Sequence, residues 1–146
     1  NWKISGCPVN GPAIDAINNN VAIAWYTMPN ESPIVNVAFS DNSGVTFNQP
    51  IRIDNGNPLG RVDIIMLDRM NALVSWIEED GSNSQIKIRK VSSDGILGDA
   101  FTVSAISSSR QSGFPKIIKR NDDIYFTWTE VENKQRIKTI KLEKIN

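Results

Sequence analysis

The chemistry this sequence offers lies in charged residues at the ends of repeated runs. Arg61 and Asp63 stand in a run opening at Gly60 (Gly-Arg-Val-Asp-Ile-Ile-Met-Leu), and Arg110 occupies the comparable stretch before Gly113. In an extended chain the i, i+2 spacing turns Arg61 and Asp63 to one face. Two guanidinium groups converging from neighbouring runs would clamp a carboxylate, such as that of an anionic sugar, because the forked donors match its two oxygens. Plain structural roles suit the same residues, an Arg61–Asp63 ion pair and a solvated Arg110, and these would carry no function. Glu78 and Glu130 each follow a tryptophan by two residues, where the first run has Thr27, and would form an acidic rim. Arg61, Asp63, Arg110, Glu78 and Glu130 are therefore the ligand-binding candidates.

Composition removes several function classes. The chain has no histidine, so it holds no Ser-His-Asp triad, no Cys-His pair and no His-containing metal site. The acidic turns Asp41–Gly44 and Glu78–Gly81 lack the spacing of a calcium loop, and neither a metal nor a cofactor is expected. Cys7, the lone cysteine, reads as a partly buried thiol or as the partner of a cysteine elsewhere. Asn30-Glu31-Ser32 has the form of a glycosylation sequon but is followed by Pro33 and reads as a loop. Sixteen basic residues balance sixteen acidic ones, which leaves no global field to draw nucleic acid. No apolar run reaches membrane-spanning length. The start, Asn1-Trp2-Lys3, is neither an initiator Met nor a signal peptide, and suggests a mature, excised or truncated form.

The elements that must position these residues recur three times. Trp25, Trp76 and Trp128 lie in matching β-rich runs 51 and 52 residues apart (Ala22–Thr27, Leu73–Glu78 and Tyr125–Glu130), and Gly11, Gly60 and Gly113 open a strand-like run before each. Asn18-Asn19-Asn20, Asp68–Asn71 and Asn121-Asp122 between them have tight-turn composition. A third strand follows at Ile34–Phe39, Ile86–Val91 and Ile137–Leu142, and a fourth at Ile51–Asp54 and Phe101–Ser104. The expected fold is all-β, with four-stranded units over 11–54 and 60–104 and a unit over 113–146 that lacks its outer strand. Residues 1–5, carrying Trp2-Lys3-Ile4-Ser5, would be an outer strand completing another unit. The phase is that of β-propeller blades, and three blades make half of a six-bladed ring. A second copy, giving a homodimer, or a missing half of the parent chain would complete it. In that arrangement the loops Gly6–Gly11, Asn55–Gly60 and Ala105–Gly113 gather at the mouth of the central funnel, as do the loops starting at Met28, Glu79 and Val131.

Between two of these strands stands Ser40-Asp41-Asn42-Ser43-Gly44-Val45-Thr46-Phe47. It resembles the Ser-x-Asp-x-Gly-x-Thr-aromatic "Asp box" of bacterial sialidase-type repeats, with Asn42 where that family prefers Asp. Ser92-Ser93-Asp94-Gly95 is a fainter echo, one residue short. The resemblance implies a six-bladed propeller in which Ser40, Asn42, Gly44, Thr46 and Phe47 reinforce the fold on the face opposite the mouth. It also implies an extracellular or periplasmic location and an arginine trio for the sugar carboxylate. A sialidase-like reaction would want a Tyr nucleophile beside a Glu, with a separate Asp as acid/base. Tyr26 and Tyr125, the two tyrosines, flank tryptophans at odd offsets and would face between blades. The leading expectation is a non-catalytic recognition propeller that binds a glycan or a protein at the funnel mouth. The alternatives are a sialidase-like glycoside hydrolase acting on acidic sugars, with catalytic residues partly outside this chain, and a scaffold serving assembly alone. Catalytic residues are not identified.

Overall fold

The computed structural model describes residues 3, 10–81, 83–107, 112–131 and 134–142. Among them are eleven strands: β1 (Ala13–Ile17), β2 (Asn20–Thr27), β3 (Ile34–Ser40), β4 (Ile51–Arg52), β5 (Pro58–Met66), β6 (Asn71–Asp80), β7 (Asn83–Ser92), β8 (Leu97–Ile106), β9 (Lys116–Arg120), β10 (Asp123–Val131) and β11 (Gln135–Leu142). They form three antiparallel sheets in plain sequence order, β1 to β4, β5 to β8 and β9 to β11. Each run expected between residues 11 and 142 contains a strand, and each unit is one meander. Cys7 and Arg110 lie outside the described residues.

The turns form for local reasons. Asn18 (φ 55°) and Asn121 (φ 56°) take the left-handed conformation that a tight hairpin needs and that asparagine tolerates. At the β5–β6 turn the Asp68 carboxylate accepts the N–H groups of Met70 and Asn71 at 2.8 and 2.9 Å. Partial burial opposes ionisation there, but these bonds and the Asn71 amide outweigh it and hold the Asp68 carboxyl below the usual range.

Strand alternation then sorts side chains into two layers. Ala22, Ala24 and Tyr26 of β2 and Val35, Val37 and Phe39 of β3 meet Ala72, Val74 and Trp76 of β6 between the first and second sheets. Leu73 of β6 and Ile86 and Ile88 of β7 point the other way, onto Ile124, Phe126 and Trp128 of β10 in the third sheet. Trp76 is fully buried and Trp128 is 6% exposed. Each of these two tryptophans thus faces the sheet before its own. Trp25 is on the same face of its sheet, which no sheet covers among the described residues, and Trp25 is only half-buried.

The first strand of each sheet is an edge, and these edges lie side by side: β5 packs against β1 on one side and β9 on the other. An edge strand exposes unpaired N–H groups. Here carboxylates of the neighbouring edge take them up, Asp15 receiving Met66 N–H at 2.7 Å and Asp63 receiving Ile117 N–H at 2.9 Å. At the other end of the third sheet β11 is the edge among the described residues, and it is exposed along most of its length. Of the expected outer strand at residues 1–5 only Lys3 is described. Its N–H donates to Thr27 Oγ1 at 2.9 Å and its carbonyl accepts Met28 N–H at 2.7 Å, which ties it to the end of β2.

The turn between β3 and β4 satisfies itself. Ser40 Oγ accepts Gly44 N–H at 2.9 Å and donates to Asn42 Oδ1 at 2.8 Å, which also accepts Thr46 N–H at 3.0 Å, while Asn42 Nδ2 donates to Thr46 Oγ1 at 2.8 Å. The Phe47 ring closes over Gly44, whose φ of 83° requires a residue without a Cβ penalty. Asn42 therefore ties the turn together, its Oδ1 accepting and its Nδ2 donating, where a carboxylate would have only acceptors.

Candidate functional site

Two loops, those leading into β1 and β9, converge on Arg61 near the start of β5. Gly60 (φ 86°) and Arg61 (φ 54°) are consecutive left-handed residues and form a bulge, with the β5–β6 register shifting on both sides of Gly60. Asn10, from the loop before β1, clamps this bulge: its Oδ1 accepts Arg61 N–H at 3.0 Å and its Nδ2 donates to the Leu59 carbonyl at 3.2 Å. A Cβ on Gly60 would come within 2.7 Å of the Asn10 side chain, so glycine is needed for both its φ and its size. From the loop before β9, buried Ser112 accepts the Arg61 guanidinium on its Oγ at 2.7 Å and passes its own hydrogen to the Ser107 carbonyl at 2.9 Å. The result is a half-buried cation whose backbone and head group are both fixed by other sheets' loops.

Asp63 does not share this site. The bulge breaks the regular two-residue alternation, so the Asp63 carboxylate turns to Ile117 N–H and to Lys116 Nζ at 3.3 Å instead of towards Arg61. Lys116 Nζ is well exposed, and the backbone bond is the stronger tie.

Glu78 is buried and joins a second polar cluster, at the outer junction of the first two sheets. Its Oε2 accepts the Trp76 indole N–H at 2.6 Å and Asn55 N–H at 3.2 Å. Arg89 lies 6.0 Å from the centre of the Trp76 ring and donates to the Ile53 carbonyl and to Asn55 Oδ1, the latter at 2.7 Å. Nearby, Asp54 accepts both Val35 N–H at 2.8 Å and the Arg52 guanidinium, a bond that raises the Arg52 pKa above its ordinary value. This cluster pins the 53–57 segment over Trp76. The equivalent Glu130 pairs with Lys138 instead, and the Trp128 indole nitrogen is buried with no bond among the described residues. Glu78 and Glu130 thus have different partners despite their matching places in sequence.

Neither tyrosine hydroxyl is bonded to Arg61. Tyr26 is buried in the layer between the first and second sheets with its hydroxyl 3.7 Å from Met28 Sδ, and burial pushes its pKa up. Tyr125 meets Asp123 at 3.4 Å, at the start of β10. No group of three or more His, Cys, Asp or Glu side chains that could hold a metal occurs among the described residues, and no helix there is long and apolar enough to cross a membrane. Asn10 and Ser112 escaped the sequence reading. The signal for Asn10 was its place directly before the Gly11-Pro12 that opens a strand run, where an amide side chain can bond neighbouring backbone.

Compared with known protein families and with the curated proteins, the chain matches none. Its class rests on its own geometry, an all-β protein of three stacked antiparallel meanders.

Proposed function

We propose that the three sheets are blades of a β-propeller of the sialidase type, and that the chain serves as a non-catalytic recognition surface for a carboxylate-bearing sugar at the loop cluster around Arg61. The observation that carries this reading is the convergence of Asn10, from the loop before β1, and Ser112, from the loop before β9, on the one oriented guanidinium of Arg61 at the start of β5. Side-by-side first strands and the repeated facing of Trp76 and Trp128 towards the preceding sheet support the blade reading. The self-bonded turn at Ser40–Phe47 supports the sialidase-type resemblance. A preoriented arginine suits a planar carboxylate better than a flexible lysine would, because less rotamer freedom is lost on binding. The Tyr26 hydroxyl lies beside Met28 in the apolar layer and the Tyr125 hydroxyl beside Asp123, so neither is bonded to Arg61, which favours recognition over hydrolysis.

Calorimetric titration with sialyllactose and with lactose tests the proposal. Sialyllactose is expected to bind and lactose to bind distinctly more weakly. Arg61→Gly keeps the left-handed backbone and removes the charged bond, which contributes about 1.5–3 kcal/mol, a loss of roughly 10- to 150-fold in affinity. Equal binding of the two sugars, or affinity indifferent to Arg61, would overturn the site. Release of a fluorogenic aglycone from a sialoside by the purified chain would overturn its non-catalytic character.

A further inference from the structure

Among the described residues nothing covers the face of the first sheet that carries Trp25, and the rest of the molecule shows what such a face receives. Pro12, Ile23, Trp25, Ala38, Phe47 and Pro50 line a hollow of about 550 Å³ there. Trp25, Trp76 and Trp128 occupy equivalent positions on the second strands of their sheets, and the faces bearing Trp76 and Trp128 are each covered by the sheet before. Every observed junction has a second component, the carboxylate clasp between first strands. Asp15 stands opposite Ala22, three residues before Trp25, and receives Met66 N–H; Asp63 stands opposite Ser75, one residue before Trp76, and receives Ile117 N–H. The donating residues, like the carboxylates, lie two positions apart in the register at the two junctions. Met66 pairs with the residue four before its tryptophan and Ile117 with the residue two before its own, which in the first sheet correspond to Ala16 and Ile14.

We infer that the Trp25 face is the seat of one further antiparallel β-sheet that presents a carboxylate from its inner strand to Ile14 or Ala16 N–H, and that this sheet is not the third sheet of a second copy. The inference rests on the reading of the sheets as equivalent blades, not on the sugar site. A two-fold closure by a second copy would bring the outer face of its third sheet against Trp25. At the two clasp positions of that sheet stand Lys116, opposite Thr127, and Ile118, opposite Tyr125. Neither side chain offers an acceptor: the Lys116 ammonium meets Asp63 of its own chain, and isoleucine has no polar atom. The occupant is therefore a sheet of the same repeat class with an acidic inner strand, as the first and second sheets have.

The test compares the chain with two extended forms. In one, residues 1–57 are joined to residues 10–146, so that a copy of the first sheet with its own Asp15 precedes the original Trp25. In the other, residues 107–142 precede residue 10. All are labelled with 5-fluorotryptophan, and the original Trp25 resonance is identified by its loss in a Trp25→Phe variant. In the unmodified chain Trp25 should show a solvent isotope shift, and sedimentation equilibrium should give a monomer. The first extension should abolish that shift and raise the urea midpoint, and Asp15→Asn in the added copy should reverse part of the rise. The second extension should leave the shift in place. A dimer of the unmodified chain with Trp25 protected, or protection by the second extension equal to the first, would overturn the inference. So would an exposed Trp25 in the first extension when circular dichroism shows the added sheet folded. Sugar binding is measured separately, so its failure leaves this result intact.

Discussion

The carboxylate of Asp63 accepts the backbone N–H of Ile117 at 2.9 Å, across the junction of the second and third sheets. Asp15 and Met66 repeat the relationship across the first junction at 2.7 Å. In both cases the donor belongs to the first strand of a sheet, whose outward N–H groups have no ladder partner. A single carboxylate thereby satisfies a buried donor and fixes the angle between two sheets.

Replacing Asp63 by Ala strands the Ile117 N–H and should destabilise the chain by about 1–3 kcal/mol. Lys116→Ala removes only the exposed half of the ion pair and should cost less than about 1 kcal/mol. Urea unfolding of the two variants should separate these values. Equal costs would mean that the charge pair, and not the backbone bond, ties the sheets.

Trp76→Ala should cost on the order of 3–5 kcal/mol, as large aromatic truncations in cores do, with Trp128→Ala in the same range. Trp25→Ala in the unmodified chain should cost clearly less, because its ring is only half-buried. The comparison of denaturant midpoints checks the assignment, and a Trp25 variant as damaged as the Trp76 variant would contradict it.

Gly60→Ala meets two obstacles, a left-handed backbone and the Asn10 side chain 2.7 Å from the new Cβ. A loss of about 1–3 kcal/mol is expected from strain at such a site. Adding Asn10→Ala should relieve the collision but not the backbone cost, so thermal unfolding of the double variant should recover part of the loss and no more.

The acid limb of stability carries a mark of Asp68. Its folded-state pKa is held below the unfolded value of about 3.9, so the unfolded chain binds the proton more readily. The stabilisation is present above that unfolded value and is lost as pH falls through the folded one. Asp68→Asn should flatten the decline in unfolding free energy below about pH 4. Tyr26 acts at the opposite end: its raised pKa keeps the folded state neutral, so stability should fall as pH rises past about 10, and Tyr26→Phe should remove that fall.

The strands were legible because their signals are local. β-rich runs around Trp25, Trp76 and Trp128, repeated at 51 and 52 residues and punctuated by Asn18 and Asn121, need no knowledge of distant partners. The Ser40–Phe47 turn was legible for the same reason, since Ser40, Asn42, Gly44 and Thr46 bond one another. The place of Asp63 was not, because consecutive left-handed residues at Gly60 and Arg61 cancel the strand geometry from which a shared face would follow. Glu78 carried an unused signal: two residues beyond Trp76 it shares that side of β6, within reach of the indole N–H. The difference between Trp25 and Trp76 lies in what stands across from each ring, which no local pattern records.

β5 sends Ile64 and Met66 into one apolar layer and Ile65 into the other. Neighbouring residues on one backbone segment thus hold both junctions, and loosening either one loosens the strand that anchors the second. Native-state hydrogen exchange should show this as a ranking in time, with β11 amides exchanging first by local fraying and the amides of β5 and β6 waiting for the whole molecule to open.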